Sequence, residues 1–546
     1  MSAVTAIRSS LLSNGLRAAF VATLAVALPF LAAAPEAFAQ QAAQPERYDV
    51  IIRGGRVLDG TGNAWLVADV GIRGDRVVAV GRLGNATAAS EVDAAGLYVA
   101  PGFVDTHSHA GGALETEELS GAQQLLAQGV TTVFVNPDGG GSVNLAEQRR
   151  KLEQRGTGVN VALMVPHGSI RGEVIGMEDR DPTAAELQRM EQIVEQGMQA
   201  GAFALSSGPF YAPGSYSKTS ELVALARVAA RYGAPYQSHI RDESDYTIGL
   251  LSAVEEVITV AREAGTRGVV THIKALGPNV WGFSAAIVQR VERAREEGIE
   301  VFADQYPYEA SQTSLVAALV PRWVQADGGD SLRARFANPA LRPRIEAEMT
   351  ENLARRGGAA RIQIGTFRPD NSLEGKTIAE IASERGAGEL ETAIDIVLKG
   401  GAGIVSFNMH DDDIERLMQQ PWVMTSSDGA LVRLGSGVPH PRGNGAFPRK
   451  IRRYVVEEQV VSLPDAIRSM TSLPASVYRM PDRGALRAGA AADVVVFDLP
   501  AVRDMATFEN PHQVAQGMKY VLVNGKFAIR DGEFTNEKAG KVLRRP

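Results

Sequence analysis

Two rhythms of apolar and polar residues run along this 546-residue chain. Near its start, short β-branched runs alternate with turns: YDVII (48–52) and RVL (56–58) flank Gly54 and Gly55, while DVGI (69–72) and RVVAV (76–80) flank Gly74 and Asp75. Such runs broken by Gly-Gly or Gly-Asp are hairpin chemistry, because glycine supplies the positive φ that tight turns need. The same rhythm returns at the far end in ADVVVFD (492–498), YVLVNG (520–525) and KFAIR (526–530). The pattern predicts one discontinuous β-sandwich built from residues 48–98 and 481–546.

The stretch between them, 99–480, follows the second rhythm. Short apolar runs such as VTTVFV (130–135), NVALMV (160–165), AFAL (202–205) and GVVT (268–271) are separated by amphipathic stretches. One of these starts at Thr183 and places apolar residues at helical spacing. Repeated β-then-α units imply parallel strands under covering helices. About eight such strands predict an α/β fold, a TIM-like (β/α)8 barrel with its chemistry at the C-terminal strand ends. Between about 315 and 400 the pattern loosens into charged helices, read as an insertion and a lid over the pocket.

The unusual polar residues fall where those strands end. VFV (133–135) runs into Asp138, ALMV (162–165) into His167, and AFAL into a loop carrying Tyr211. YQS (236–238) ends at His239 and VVT (269–271) at His272, followed by Lys274. VMT (423–425) leads to Asp428. The stretch at 98–104 delivers His107 and His109, two residues apart, so that on a strand both imidazoles share a face. Only eight histidines occur in the chain, and four of them (His107, His109, His239, His272) lie at predicted strand ends on one barrel rim. With Asp138 and Asp428 they make a nitrogen and oxygen donor set suited to Zn²⁺. Any one of the six could be structural; six at the same end of their strands are hard to explain as packing.

Composition narrows the class. A formal charge of −7 argues against a nucleic-acid or anionic-membrane partner. The absence of cysteine excludes a disulfide framework, a thiolate site and a cysteine nucleophile. Arg8 and Arg17 precede an apolar stretch at 18–33, broken by Pro29, and Ala37 and Ala39 give the small-x-small pattern of a cleavage site. Residues 1–39 therefore read as a signal peptide and 40–47 as a polar linker, so the expected location is periplasmic or secreted, with no membrane attachment after cleavage. The basic end at 541–545 reads as a solvated tail.

The motifs DVIIRGGRVLDGTG (49–62), APGFVDTHSH (100–109), SHIRDE (238–243), THIK (271–274), YPY (306–308), SDG (427–429), HPR (440–442), MTSLPA (470–475) and GAAADVVVFD (489–498) resemble the amidohydrolase superfamily. Within it they resemble the N-acyl-D-amino-acid deacylase (D-aminoacylase) family, over about residues 48–535. The resemblance implies a zinc-bearing barrel with a small β-sandwich and one or two Zn²⁺ ions per subunit. It implies His239 and His272 as ligands of a tight metal site, His107 and His109 as ligands of a second, and Asp428 as catalytic acid/base. Many members place a metal-bridging cysteine where this chain has Asp138. Substrate-carboxylate contacts carry over to Lys274, Tyr308, Ser314 and Arg442, with Tyr211 near the acyl or side-chain pocket. His440 and His167 are expected as hydrogen-bond partners behind the reacting groups.

The expected function is hydrolysis of the amide of a small N-acyl-D-amino acid. The D preference comes from the resemblance alone. The rivals are a D-specific dipeptidase or cyclic-amide hydrolase on the same scaffold, and, from another class, an exported binding protein that has lost catalysis. An intact Asp428 beside four histidines speaks against the last, since a binder has no use for an acid/base.

Overall fold

A computed structural model describes residues 47–546. The signal-peptide reading (1–39) lies outside the described residues, as does the linker except for Arg47, which opens the first strand. Strands β1 (Arg47–Val57), β2 (Leu66–Arg73), β3 (Arg76–Gly81), β4 (Thr87–Asp93) and β5 (Tyr98–Pro101) come from the N-terminal side. They join β17 (Val494–Phe497), β18 (Met518–Val523), β19 (Lys526–Arg530) and β20 (Glu533–Phe534) in one nine-stranded sheet. The seam is β5 against β17, antiparallel, with Tyr98 opposite Phe497 and Pro101 opposite Val494. Val50, Ile52, Val70 and Ile72 share an apolar cluster with Val494 and Val496, so the two chain ends bury one core.

Residues 98–104, which read as one strand, are two. β5 belongs to the nine-stranded sheet and β6 (Phe103–Asp105) to the barrel, and Gly102 is the crossing. A Cβ there would sit 2.2 Å from Thr131 Oγ1, so only glycine allows the chain to pass. The end of the chain also departs from the solvated tail: Val161 N donates to Lys541 O at 2.9 Å, and Arg149 donates to the carbonyls of Val542 and Leu543 at 2.8 and 2.9 Å.

The barrel strands are β6, β7 (Val130–Val135), β8 (Asn160–Pro166), β9 (Ala204–Ser207), β10 (Tyr236–Ser238), β11 (Gly268–Val270), β12 (Val301–Gln305) and β16 (Val423–Thr425). They pair in parallel in that order. β6 and β16 meet through their extensions, where His109 N donates to Gly429 O and Asp428 N to His107 O, each at 2.9 Å. β7 and β8 are buried at every position, as strands covered on both faces must be. The covering helices follow their capping residues. Thr183 forms a reciprocal capping box with Glu186 ahead of the helix Ala184–Gln199, and the helix Leu250–Ala264 buries Val254, Val257, Ile258 and Ala261 before Gly265 ends it in the left-handed region.

The insertion is a folded unit rather than a loose excursion. β13 (Ala310–Ser314), β15 (Gly403–Phe407) and β14 (Ile362–Thr366) form an antiparallel sheet, packed with its own helices around Leu315, Ile345, Met349, Ile364, Ile381 and Ile404. At roughly 1.5–3 kcal/mol per fully buried large aliphatic side chain, this second cluster gives the insertion an apolar core distinct from the barrel's. Among the described residues no helix is long and apolar enough to cross a membrane.

Candidate metal centre

At the C-terminal mouth of the barrel the Asp138 carboxylate stands among all four of the histidines picked out above. Its Oδ1 lies 3.2 Å from His107 Nε2, 3.4 Å from His272 Nε2 and 3.7 Å from His239 Nδ1, and its Oδ2 lies 3.3 Å from His109 Nε2. Asp428 closes the group, with Oδ1 at 3.4 Å from His107 Nε2 and 3.2 Å from His109 Nε2. The six residues selected by their place at strand ends thus converge. One donor group joins His107, Asp138, His272 and Asp428, and a second joins His239, His272 and Glu243, each with its donor atoms within 4.8 Å of one another.

The backbone under these groups is unusual. Asp138, His272 and Asp428 are non-glycine residues in the left-handed region, at φ of 54°, 35° and 48°. Such a conformation costs about 1–3 kcal/mol per residue and persists only where its surroundings impose it, most often at functional sites. Buried carboxylates brace the backbone at His272 and beside Asp428. Asp304 Oδ1 accepts from His272 N at 2.9 Å and Ser426 Oγ at 2.7 Å, and Asp105 Oδ1 accepts from Ser427 N at 2.9 Å and His107 N at 3.3 Å. Burial pushes Asp105 up to about 6, against the pull of Ser427. Beside Asp138, Gly139 has a φ of 70°, and a Cβ there would meet Gly168 N at 2.9 Å, so the turn that delivers the carboxylate needs glycine.

The electrostatics favour a cation. Burial alone would lower His272, and so would Lys274. Asp428 and Glu243 outweigh them and raise it to about 10. His109, its side chain 38% exposed toward the cavity, is likewise raised against burial by hydrogen bonds to Asp138 and Asp428. His107 Nε2, both ring nitrogens of His239 and Asp138 Oδ1 are buried and make no hydrogen bond. Orphaned donor atoms of this kind fit a metal, because buried polar atoms otherwise find partners. Nitrogen and carboxylate donors without thiolate suit Zn²⁺ and, through the hard carboxylates, its divalent neighbours.

Around the centre is a cavity of about 820 Å³. Lys274, Arg442, Tyr211 and Ser314 all line it. Lys274 ion-pairs with Glu243, which also lies 3.0 Å from His272 Nδ1, and the Lys274 ammonium stands 2.7 Å from that same nitrogen. Arg442 Nη1 stands 2.6 Å from Asp428 Oδ2; against the upward push of burial, that guanidinium holds Asp428 far below the usual carboxylate range. Tyr211 OH pairs with Thr313 Oγ1 at 3.2 Å, and Ser314 Oγ accepts from Ala317 N at 3.1 Å, capping a helix of the insertion.

Two expectations land elsewhere. Tyr308 is buried away from the cavity lining, its ring against His440 at 5.0 Å and under the Arg449 guanidinium at 4.5 Å. Tyr306, two residues earlier, lines the cavity instead, with Arg442 over its ring at 4.6 Å and its hydroxyl without a hydrogen bond. His167 turns to Glu221 at 2.8 Å, which also pairs with Arg171, and this buried triad touches none of the donors. His440 stands behind the cavity: its Nδ1 accepts from Arg442 N at 3.0 Å and its Nε2 meets Ala310 O at 2.9 Å, which fixes the start of the Arg442 helix. Glu243 is the residue the strand-end rule missed. It is held by a loop in which Asp242 gathers the amides of Ser244, Tyr246, Thr247 and Gly249 at 2.6–3.2 Å.

A family model described as amidohydrolase family matches residues 90–529. The chain is 35% identical to an N-acyl-D-glutamate deacylase and 31% identical to a D-aminoacylase, both of Alcaligenes xylosoxydans xylosoxydans. It covers 97% and 99% of those relatives, which match 92% and 93% of this chain. Among solved structures, an N-acyl-D-glutamate deacylase from Bordetella bronchiseptica, complexed with zinc and a phosphonate inhibitor, superposes with a TM-score of 0.79. It is 34% identical and covers 91% of this chain and 100% of that one.

Proposed function

The chain belongs to the amidohydrolase family, and from that premise we propose that it is a zinc-dependent hydrolase of N-acyl-D-amino acids, releasing a carboxylic acid and a D-amino acid. The observation that carries this reading is the Asp138 carboxylate within 3.2–3.7 Å of four histidines, with Asp428 and Arg442 beside it at the mouth of one cavity. His107, His109, His239 and His272, with Asp138 and Asp428, would hold one or two ions.

Zinc, when bound, polarises the scissile carbonyl and lowers the pKa of a water molecule. The remaining work falls to this chain's side chains. Asp428 takes the proton of the water that adds to the carbonyl carbon and returns it to the nitrogen as the C–N bond breaks. Its charge is kept available by Arg442, so the base is ionised throughout the neutral range. Lys274 and Arg442 bind the substrate's α-carboxylate, with Tyr306 beneath them, and so place the carbonyl at the donor cluster. Tyr211, whose hydroxyl burial keeps protonated, walls the remaining space together with Ser314.

Export to the periplasm or medium is part of the proposal and rests on the arginines and apolar run of residues 1–39. The deciding experiment is a screen of the purified zinc-loaded protein on paired N-acetyl-D- and L-amino acids, D-dipeptides and hydantoins, with metal content measured on the same sample. Turnover confined to the dipeptides or hydantoins would replace this reading with one of its rivals, and metal binding without any turnover would leave a binder.

A further inference from the structure

Behind the donor cluster, three side chains meet at one point. Glu243 is 4% exposed; its Oε1 ion-pairs with Lys274 and lies 3.0 Å from His272 Nδ1. Its Oε2 faces His239 Nε2 at 3.7 Å. Both are the ring nitrogens turned away from Asp138, whose Oδ1 has His272 Nε2 at 3.4 Å and His239 Nδ1 at 3.7 Å. Lys274 Nζ itself stands 2.7 Å from His272 Nδ1. The carboxylate is held in this place by its own backbone. The Glu243 carbonyl accepts from Leu276 N at 2.9 Å, just past Lys274, and the loop that follows Glu243 is gathered by Asp242.

What sits at Nδ1 decides what Nε2 can do. An imidazole that binds a metal through one nitrogen carries its proton on the other, so His272 can offer Nε2 to the donor cluster only while Nδ1 is a donor. The Lys274 ammonium has donors and no acceptor. Alone beside His272 it would donate to Nδ1 and drive the ring proton to Nε2, the side on which a metal has to bind. A carboxylate has acceptors only, and Glu243 is within reach of both donors at once. We propose that Glu243 is a positioning residue: it accepts from Lys274 and from His272 Nδ1–H together, and so fixes the His272 tautomer that presents Nε2 to zinc in spite of the neighbouring ammonium. The proposal rests on the zinc part of the reading above and not on the identity of the substrate.

The test measures zinc affinity by competition with a chelator and uses no substrate, so its outcome is separate from that of the deacylase screen. Glu243→Gln keeps the size and removes the charge, and zinc should bind roughly 10–100-fold more weakly, the usual effect of losing the carboxylate behind a metal-bound histidine. Lys274→Met should change zinc affinity little when Glu243 is present. In Glu243→Gln the same change should recover on the order of tenfold, because the ammonium that misdirects the ring is gone and the two residues are coupled. An equal effect of Lys274→Met in both backgrounds would mean that Glu243 acts through its charge alone, and overturns the proposal. So does a Glu243→Gln variant that binds zinc as tightly as the wild type. Should the stranded Lys274 charge keep Glu243→Gln from folding, Glu243→Asp takes its place. Its shorter carboxylate still offsets Lys274 but withdraws from Nδ1, so zinc should again bind more weakly, and wild-type affinity there overturns the proposal. A wild-type chain that binds no zinc overturns it together with the zinc reading, whereas zinc binding without turnover overturns the deacylase reading alone.

Discussion

Arg442 Nη1 lies 2.6 Å from Asp428 Oδ2, while Oδ1 of the same carboxylate faces His109 Nε2 at 3.2 Å. Asp428 therefore sits between a guanidinium and the donor cluster, with one oxygen assigned to each. Both partners are nearly fully buried, and removing one member of such a pair typically costs 3–5 kcal/mol, because the other charge is stranded. The residue expected to grip substrate is thus also the residue that keeps the proton acceptor charged.

Asp428→Asn keeps the shape and removes the base. Turnover should fall by at least roughly 10²–10⁴-fold, the usual contribution of general acid–base catalysis. Most of the metal should remain, since His107, His239, His272 and Asp138 are untouched. Comparing kcat with metal per chain separates the two roles. A kcat near that of the wild type would remove Asp428 from the mechanism.

Arg442→Lys tests the double duty. A lysine ammonium retains a charge near Asp428 but cannot fork onto a carboxylate. KM for an N-acyl-D-amino acid should rise several-fold at constant metal content, and kcat should fall as the Asp428 contact loosens. An α-amide substrate should show the kcat effect without the KM effect. Equal damage to both constants on both substrates would mean that Arg442 serves Asp428 alone.

Much of this site was legible in the sequence because one rule covers it: in a parallel barrel, polar residues immediately past a strand's C-terminus face the mouth. That rule picked His239 after β10, Asp138 after β7 and Asp428 after β16. Applied strictly it also selects Tyr306, the first residue past β12, over Tyr308, which lies beyond the turn made by Pro307 and packs on Arg449. It fails at His167, which opens a helix directly after β8 and is drawn aside by Glu221, a residue 54 positions away. Glu243 was illegible because its place depends on how Asp242 folds a loop. The split of residues 98–104 at Gly102 hangs on Thr131 in another strand, which no local pattern contains.

Lys450 offers a test by pH. Its Nζ is buried, donates to Thr425 Oγ1 and Ser469 Oγ at 2.9 Å each, and is pushed down by that burial to about 7. A lysine with its folded pKa lowered from about 10.5 to about 7 binds fewer protons folded than unfolded across that window, so its contribution to stability grows as pH rises from about 7 toward 10.5. Below about 7 the cost of burying the charge is felt in full. Lys450→Met should therefore be stabilised relative to the wild type at pH 7, with the gap closing toward pH 10. Paired thermal-denaturation midpoints check this, and a gap independent of pH would mean that Lys450 titrates as an exposed lysine does.

Asp138 carries the last prediction, because there one residue does two jobs. Gly140 N donates to Pro137 O at 2.9 Å, so residues 137–140 are a turn, and the φ of 54° at Asp138 is turn backbone that aspartate and asparagine tolerate better than alanine does. Its carboxylate nonetheless points into the centre, within 3.2–3.7 Å of four histidines. Alanine would disturb both jobs at once, whereas Asp138→Asn preserves the turn and removes only the charge. Metal occupancy and activity should fall together in Asp138→Asn, and added Zn²⁺ should restore part of the activity. Asp138→Cys should hold zinc as tightly as the wild type or tighter, because thiolate is the softer donor, while its melting temperature reports the strain of cysteine at a left-handed position. Full occupancy and full turnover in Asp138→Asn would show that only the turn matters, leaving the histidines and Asp428 to hold the metal alone.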